Sequence, residues 1–172
     1  KAAVRPLEGV SVVKFEHLGM VGYGEVGRIF AAGLKDRVVG SSAWDLKFDL
    51  PAELADEYRF TQGQHLALRT TLDGEELRRS YSVCSGCDDG ELRVAVKKVP
   101  GGRFSVWANE SLQAGDRVKL SGPYGRFFVR ESAARPLIFM AGGSGLSSPR
   151  SMILDLLAKG YAQPITLVYG AR

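Results

Sequence analysis

A succession of short β-strand patterns between residues 59 and 120 is the feature that most limits how this chain can fold. Four segments with strand-like patterns, each bounded by Gly, Asp or Pro, cover residues 64–70, 77–84, 91–99 and 117–120. Short strands at regular spacing, with turn residues between them, favour an antiparallel barrel or sandwich. One helix is predicted to interrupt the series at residues 104–112.

The residues before this series carry a mixed pattern. Residues 9–16 are β-branched and apolar, which predicts a strand, and residues 18–22 form a second short apolar run. Residues 25–36 place their apolar side chains on one face at helical spacing, which predicts a helix. Alternation over residues 42–50 predicts a half-buried strand. Pro51 ends that strand, because proline cannot donate a hydrogen bond to a sheet.

The C-terminal residues predict a different arrangement. Residues 136–140 predict a short apolar strand, residues 141–145 a glycine loop, residues 149–159 a helix and residues 165–169 a further strand. A strand, a loop, a helix and a second strand in this order form the start of a parallel sheet.

Composition excludes several classes of protein. The chain has 172 residues, enough for one large or two small domains, and its net charge of +4 includes no run of like charge that would suggest nucleic-acid binding. No apolar stretch approaches the roughly 20 residues of a membrane span. Two cysteines and no visible secretory signal predict a cytoplasmic protein.

The segment Arg79-Ser80-Tyr81-Ser82 carries the first candidate site. On a strand, Arg79 and Tyr81 share one face, because side chains alternate with a period of two. A guanidinium fork suits a diphosphate, and a tyrosine ring can lie against a planar ring system. The segment resembles the R-x-Y-S motif of ferredoxin reductase-type flavoproteins. The resemblance implies that Arg79 binds the FAD diphosphate and that Tyr81 and Ser82 contact the flavin.

A second segment adds an anion site made of backbone. It resembles the second cofactor segment of the same family, and its candidate residues are Val96, Lys97, Gly101, Gly102, Phe104 and Ser105. Unpaired N–H groups at a glycine turn and at a helix N-terminus attract a pyrophosphate. The Ser105 hydroxyl is expected to contribute. Gly63-Gln64 and the Gly-Pro-x-Gly-x-Phe sequence at residues 122–127 also match the family pattern.

A third segment resembles the nicotinamide loop of the same superfamily. Its candidate residues are Gly142, Gly143, Ser144 and Gly145, which follow a predicted strand and precede a predicted helix. Glycines let a backbone approach a dinucleotide closely, and Pro149 suits a first helical turn. Compared with the usual family pattern, Ser144 replaces a threonine and the proline stands one position later.

The resemblance implies an FAD-dependent reductase. Residues 49–114 resemble the reductase components of phenylacetyl-CoA epoxidase, and residues 115–172 resemble those of phenol hydroxylase. We expect an antiparallel Greek-key flavin barrel over residues 44–130 and a truncated α/β nucleotide-binding lobe over residues 131–172, with residues 1–43 as an N-terminal segment. Electrons would pass from NAD(P)H through FAD to an iron–sulfur domain or oxygenase component, in aromatic hydrocarbon catabolism. The flavin does the chemistry, so no catalytic side chain is required.

Two alternatives stay open. Gly22-Tyr23-Gly24-Glu25-Val26-Gly27, with Asp45 placed 45 − 27 = 18 residues after the last glycine, matches a dinucleotide fold. The segment resembles β-hydroxyacid dehydrogenases, and the residues before it resemble the start of class III CoA-transferases. The chain would then be an NAD-binding dehydrogenase fragment, or a composite or truncated chain without catalysis.

The remaining candidate residues are interpreted as structural. Cys84 and Cys87 form a C-x-x-C pair, but two thiols alone cannot complete a zinc or iron–sulfur site, so no metal is predicted. His17 and His65 are isolated along the sequence.

Overall fold

The computed structural model describes residues 7–15, 43–130 and 135–170. The strands are β1 (Leu7–Phe15), β2 (Ala43–Asp49), β3 (His65–Leu72), β4 (Glu75–Ser82), β5 (Leu92–Lys97), β6 (Arg117–Tyr124), β7 (Leu137–Gly142) and β8 (Ile165–Gly170). The α-helices are α1 (Arg103–Glu110) and α2 (Ser147–Ala158), and short 3-10 helices span Ala52–Leu54 and Gly143–Leu146. The strands and helices predicted in these parts of the chain are confirmed, with ends that shift by a few residues. The apolar run at 18–22, the helix predicted at 25–36 and His17 lie outside the described residues.

Six antiparallel strands form one sheet in the order β4-β3-β6-β1-β2-β5. β1 lies between β6 and β2, so residues 7–15 belong to this sheet even though the predicted domain boundary separates them from it. An antiparallel bridge between Val83 and Val94 connects the chain just after β4 to β5. The bridge therefore joins the two ends of the strand order.

The core of this sheet follows from the alternation of apolar residues along its strands. In β5, Leu92, Val94 and Val96 are buried while the intervening residues are half-buried. The other core residues, all at most 5% exposed, are Leu46, Phe48, Tyr58, Leu66, Leu68, Leu77, Val83, Phe104, Ala108, Leu112, Val118 and Leu120. Burying each large apolar side chain stabilises the fold by about 1.5–3 kcal/mol.

The antiparallel pairing of β2 excludes the predicted dinucleotide fold at Asp45. Asp45 lies opposite Phe15 of β1 and opposite Ala95 of β5, and both pairings are antiparallel. A dinucleotide fold needs parallel strands at its first β-α-β unit. The interpretation of Asp45 as the ribose-binding acid of such a unit is therefore wrong. The glycines of residues 22–27 lie outside the described residues.

The C-terminal unit is a parallel pair of strands with a helix between them. β7 and β8 pair in parallel, from Leu137 opposite Ile165 to Gly142 opposite Gly170, as the sequence predicted. One face of the pair is half-buried and the other is exposed. Among the described residues, no helix has both the length and the apolar character needed to cross a bilayer.

Candidate flavin and nucleotide site

The predicted flavin-binding strand is β4. Arg79 lies opposite Leu68 of β3 and Tyr81 lies opposite Leu66, so Arg79 and Tyr81 share the face predicted for them. The Arg79 side chain is exposed, and its Nη1 donates a hydrogen bond to the carbonyl oxygen of Arg78 at 2.7 Å. Ser80 is exposed and Ser82 is half-buried. Arg79 is thus free of carboxylate partners among the ion pairs of the described residues.

Tyr81 joins β4 to α1. Its ring centroid lies 5.6 Å from that of Phe104, and Phe104 makes an edge contact with Trp107 at 5.4 Å. Burial raises the pKa of Tyr81, while the nearby Arg79 guanidinium acts in the opposite direction. The phenol therefore stays neutral at physiological pH, next to the first turn of α1.

The start of α1 has the form expected of an anion site. Gly102 occupies the N-cap position and no side chain caps the helix, so N–H groups of the first turn lack the usual capping partner. Gly101 has a φ of +74°, a conformation that favours glycine. The Gly102 N–H itself donates to the carbonyl oxygen of Val99 at 2.9 Å, and this hydrogen bond closes a tight turn before the helix.

Ser105 shapes this turn from the inside. Its Oγ accepts a hydrogen bond from the Val99 N–H at 3.1 Å, and its side chain is buried. A Cβ atom added to Gly102 would lie 2.6 Å from that hydroxyl oxygen, so glycine is needed there. The Ser105 hydroxyl already binds the backbone of Val99 in the preceding turn. Its predicted contact with a phosphate stays a prediction.

Two contacts that sequence reasoning missed hold α1 in place. Arg103 forms ion pairs with Glu75 and, at 3.8 Å, with Asp73, so the helix start is held at the β3–β4 hairpin. Buried Asn109 donates through Nδ2 to the carbonyl oxygens of Val96 at 3.1 Å and of Ser105 at 2.7 Å. A polar residue on the apolar face of a short helix was the available signal for Asn109.

The candidate residues of β5 have different surroundings. Val96 is fully buried and its carbonyl oxygen binds Asn109, so its side chain belongs to the core. Lys97 is half-buried, and its Nζ lies 3.8 Å from where a Cβ atom on Gly143 would be. The ammonium group of Lys97 therefore lies beside the predicted nicotinamide loop.

That loop is a 3-10 turn between β7 and α2. Gly142 ends β7, and Gly143 has a φ of +51°. Ser144 and Gly145 are exposed, and the turn carries no side-chain cap. The Ser147 hydroxyl donates to the carbonyl oxygen of Ser144 at 3.0 Å and holds the turn against the start of α2.

The cysteines and His65 lie nearby. Cys84 is buried, Cys87 is half-buried, and neither forms a disulfide. Burial and the Asp155 carboxylate raise the pKa of the Cys87 thiol to about 12. Within the described ranges, no group of three or more metal-binding side chains comes together. The ring of His65 lies 6.0 Å from that of Tyr124.

These groups fit a flavin adenine dinucleotide. The exposed guanidinium of Arg79 and the uncapped start of α1 suit the phosphates, and the Tyr81–Phe104 pair offers an aromatic surface for a planar ring. The aromatic contact brings β4 and the helix start together, so one ligand can reach both.

Comparison with known proteins agrees with this geometry. The family described as "Oxidoreductase FAD-binding domain" matches residues 34–129. The chain is 48% identical over 114 residues to the reductase component of phenol 2-monooxygenase from Pseudomonas sp. (strain CF600), a match that covers 66% of this chain and 32% of that protein. It is 40% identical over 129 residues to one of the subunits of 1,2-phenylacetyl-CoA epoxidase from Escherichia coli (strain K12), covering 74% of this chain and 36% of that protein.

A solved structure supports the fold. The H286L mutant of ferredoxin-NADP+ reductase from Plasmodium falciparum superimposes with a TM-score of 0.70 at 20% identity, covering 95% of this chain and 61% of that one. The chain spans about a third of the length of the two curated relatives. By its family match and by its identity to these relatives, the chain belongs to the FAD-binding domain family of ferredoxin reductase-type oxidoreductases.

Proposed function

We propose that this chain is the flavin-binding part of an NAD(P)H-dependent reductase that delivers electrons to an iron–sulfur domain or an oxygenase component. Two relatives are named as parts of phenol 2-monooxygenase and 1,2-phenylacetyl-CoA epoxidase, which supports an oxygenase as the final acceptor. Bound FAD would supply the redox chemistry, accepting two electrons as a hydride and releasing them one at a time. The protein supplies binding and orientation.

The observation that carries the proposal is a pair of contacts that together join four elements. Tyr81 on β4 contacts Phe104 in the first turn of α1. Lys97 at the end of β5 lies beside Gly143 in the turn that begins α2. A flavin held by β4 and α1 and a nicotinamide held by the glycine turn would therefore be neighbours.

The proposed flavin contacts are made by side chains and backbone. Arg79 binds the diphosphate, Tyr81 covers the ring system, and the first-turn N–H groups of α1 bind phosphate oxygens. Ser80 lies on the opposite face of β4 from Arg79, so its contribution would come from its backbone. Ser82, half-buried at the end of β4, lies next to the flavin edge in this proposal.

The proposed nicotinamide contacts come from the turn at Gly142–Gly145 and from Lys97. The positive φ of Gly143 and the exposed backbone of Gly145 allow a pyrophosphate to approach the turn. The Lys97 ammonium would neutralise part of its charge. No titrating acid or base is needed for this transfer.

The proposal includes a division into two lobes. The bridge between Val83 and Val94, and the return of β6 between β3 and β1, support a closed Greek-key barrel over residues 44–130 together with β1. Residues 131–172 would form the nucleotide lobe. We place the protein in the cytoplasm, which the reduced state of Cys84 and Cys87 supports.

Titration with FAD tests the first half of the proposal. Arg79→Ala should weaken FAD binding about 10- to 150-fold, because a charge-assisted hydrogen bond contributes about 1.5–3 kcal/mol. Arg78→Ala is the matched control, since Arg78 is an exposed neighbour on the other face of β4, and it should change affinity less than about twofold. Equal affinity of wild type and Arg79→Ala would overturn the diphosphate assignment.

Anaerobic addition of NADH or NADPH tests the second half. Bleaching of the flavin absorbance is the expected result, and the faster reductant identifies the preferred nucleotide. A chain that binds FAD but is reduced by neither nucleotide would be a flavin-binding chain without reductase activity of its own.

A further inference from the structure

Helix α2 buries charged side chains where an amphipathic helix usually buries apolar ones. Arg150 is 9% exposed and Asp155 is 1% exposed. Charged side chains are rarely buried unless they are paired, because removing them from water is costly. Both have partners that lie outside α2 or at its end, and these partners show what the buried face of α2 contacts.

Arg150 reaches the strand that carries the proposed flavin site. Its Nη1 donates a hydrogen bond to the carbonyl oxygen of Cys84. Cys84 follows Ser82, the last residue of β4, by only two positions. Arg150 itself follows Ser147, the first residue of α2, by three positions. One hydrogen bond therefore links the end of the proposed flavin strand to the end of the glycine turn.

Asp155 lies five residues further along α2 and contacts the same loop. Its carboxylate lies beside the Cys87 thiol and helps to keep that thiol protonated. The Lys159 Nζ lies 3.1 Å from the same carboxylate and compensates part of its charge. Arg150 and Asp155 on α2 thus both contact the loop that follows β4, at Cys84 and Cys87 respectively.

A third point shows how closely α2 is packed there. A Cβ atom on Gly63, just before β3, would overlap both Cε of Met152 on α2 and the carbonyl oxygen of Phe127. The Met152 side chain of α2 is therefore packed closely against the chain before β3 at this point.

We propose that Arg150, assisted by Asp155, is a positioning residue that sets the glycine turn at a defined distance from the Arg79–Ser82 strand. The proposal rests on the proposed function, because the distance matters only if the two segments hold reacting partners. Hydride transfer is sensitive to this distance, and a misplacement of about 1 Å can slow a reaction about 100-fold. Arg150 acts through the backbone that it binds and touches neither partner in this proposal.

The test compares Arg150→Met, which removes the donor, with Arg150→Lys, which keeps one. Arg117→Met is the matched control, because Arg117 is an exposed arginine on β6. The first readout is amide hydrogen exchange in the flavin-free protein. We expect Arg150→Met to speed exchange about tenfold in residues 83–87 and in residues 142–146, with residues 66–70 unchanged. Arg117→Met should change none of these segments.

The second readout separates positioning from stability. Arg150→Met should leave FAD affinity within about threefold of wild type, but slow flavin reduction at saturating NADH about tenfold or more. It should also weaken the long-wavelength charge-transfer absorbance between nicotinamide and flavin. Arg150→Lys should recover most of the rate and of the absorbance.

The outcomes separate the two proposals. Unchanged exchange in residues 142–146, or a loss of FAD affinity as large as the loss of rate, would overturn the positioning role. If Arg150→Met does not fold, Asp155→Asn serves instead. It should speed hydrogen exchange in the same segments and slow flavin reduction, both by less than Arg150→Met. The results that overturn the proposal are the same. A wild-type chain that binds FAD but is reduced by neither NADH nor NADPH would defeat the proposed function, while the exchange data would still decide whether Arg150 couples the two segments.

Discussion

The six-stranded sheet and the β7–α2–β8 unit use apolar residues in different ways. The sheet packs its apolar residues against each other and against α1, so that Leu46, Leu66 and Leu68 are fully buried. In the parallel pair, Ile138 is 70% exposed and Met140 is 81% exposed. Parallel sheets are usually covered on both faces, whereas antiparallel sheets need only one covered face.

The difference indicates where the stability of each region comes from. The sheet holds its own core and should fold around it. The parallel unit has one helix, and the buried residues of that helix, including Arg150, Met152 and Asp155, lie near the sheet and its loops. The second region therefore depends on docking to the first.

The largest effect should come from a substitution where the two regions meet. Gly63→Ala places a methyl group in overlap with the Phe127 carbonyl oxygen at a φ of +83°, so both a clash and backbone strain result. We expect the free energy of unfolding to fall by about 4 kcal/mol or more, as in other severe core disruptions. Denaturant titration followed by circular dichroism gives this value.

Gly74→Ala is the control for the strain. Gly74 has a φ of +78° and no atom within 4 Å of an added Cβ, so only the strain remains. Its cost should be about 1–2 kcal/mol. Equal losses for the two variants would mean that Phe127 and Met152 do not pack tightly against Gly63 in solution.

The next effect tests which region binds the nicotinamide. Gly143→Val adds a branched side chain at a φ of +51°, beside Lys97, and should lower nicotinamide affinity by about tenfold or more. Asp45→Ala should leave that affinity unchanged, because Asp45 lies in an antiparallel strand. Calorimetric titration of both variants with NADH decides the matter. If Asp45→Ala lost affinity for NADH and Gly143→Val did not, the nicotinamide site would lie in the N-terminal part of the chain and not at the glycine turn.

Local patterns in the sequence predicted the elements better than the contacts between them. Alternation located β2, short strand patterns between turn residues located β3 to β6, and the spacing of Arg79 and Tyr81 placed both on one face. The place of β1 between β2 and β6 could not be predicted, because strand order depends on pairings between distant residues. Asp45 matched the spacing of a dinucleotide fold because residue spacing carries no information on strand direction.

The candidate site shows the same limit. The sequence motifs identified the segments, but they did not reveal that the Ser105 hydroxyl binds Val99 or that Asn109 holds Val96. Hydrogen bonds of buried polar groups depend on which backbone atoms are left without partners after folding. Besides Asn109, a further signal was available: Arg150 and Asp155 interrupt the apolar face of α2, a pattern that indicates a polar contact.

A smaller effect concerns the thiol between the regions. The pKa of Cys87 rises to about 12, so the folded protein holds that proton more tightly than the unfolded chain does. The stability from this thiol is fully present below about pH 9 and is lost as the pH rises towards 12. Iodoacetamide should therefore label Cys87 slowly at pH 8 in the native protein, because the thiolate is the reactive form.

Cys84→Ala provides the background for that measurement, since it leaves Cys87 as the single thiol. Asp155→Asn should speed the labelling, because the carboxylate that helps to hold the proton is neutralised. Labelling of native Cys87 as fast as in urea would show that the loop is not docked on α2.

The smallest effect should come from the exposed face of the parallel pair. Ile138 lies opposite Thr166 and is mostly in contact with water, so Ile138→Ala should change the free energy of unfolding by less than about 0.5 kcal/mol. Leu68→Ala, a truncation in the sheet core, should lower it by about 2–5 kcal/mol. Denaturant titrations of the two variants at several protein concentrations give both values. A loss above about 2 kcal/mol for Ile138→Ala that grows with protein concentration would show that another copy covers this face in solution. The contrast between a self-contained sheet and an exposed parallel pair would then apply only to the monomer, and not to the protein in solution.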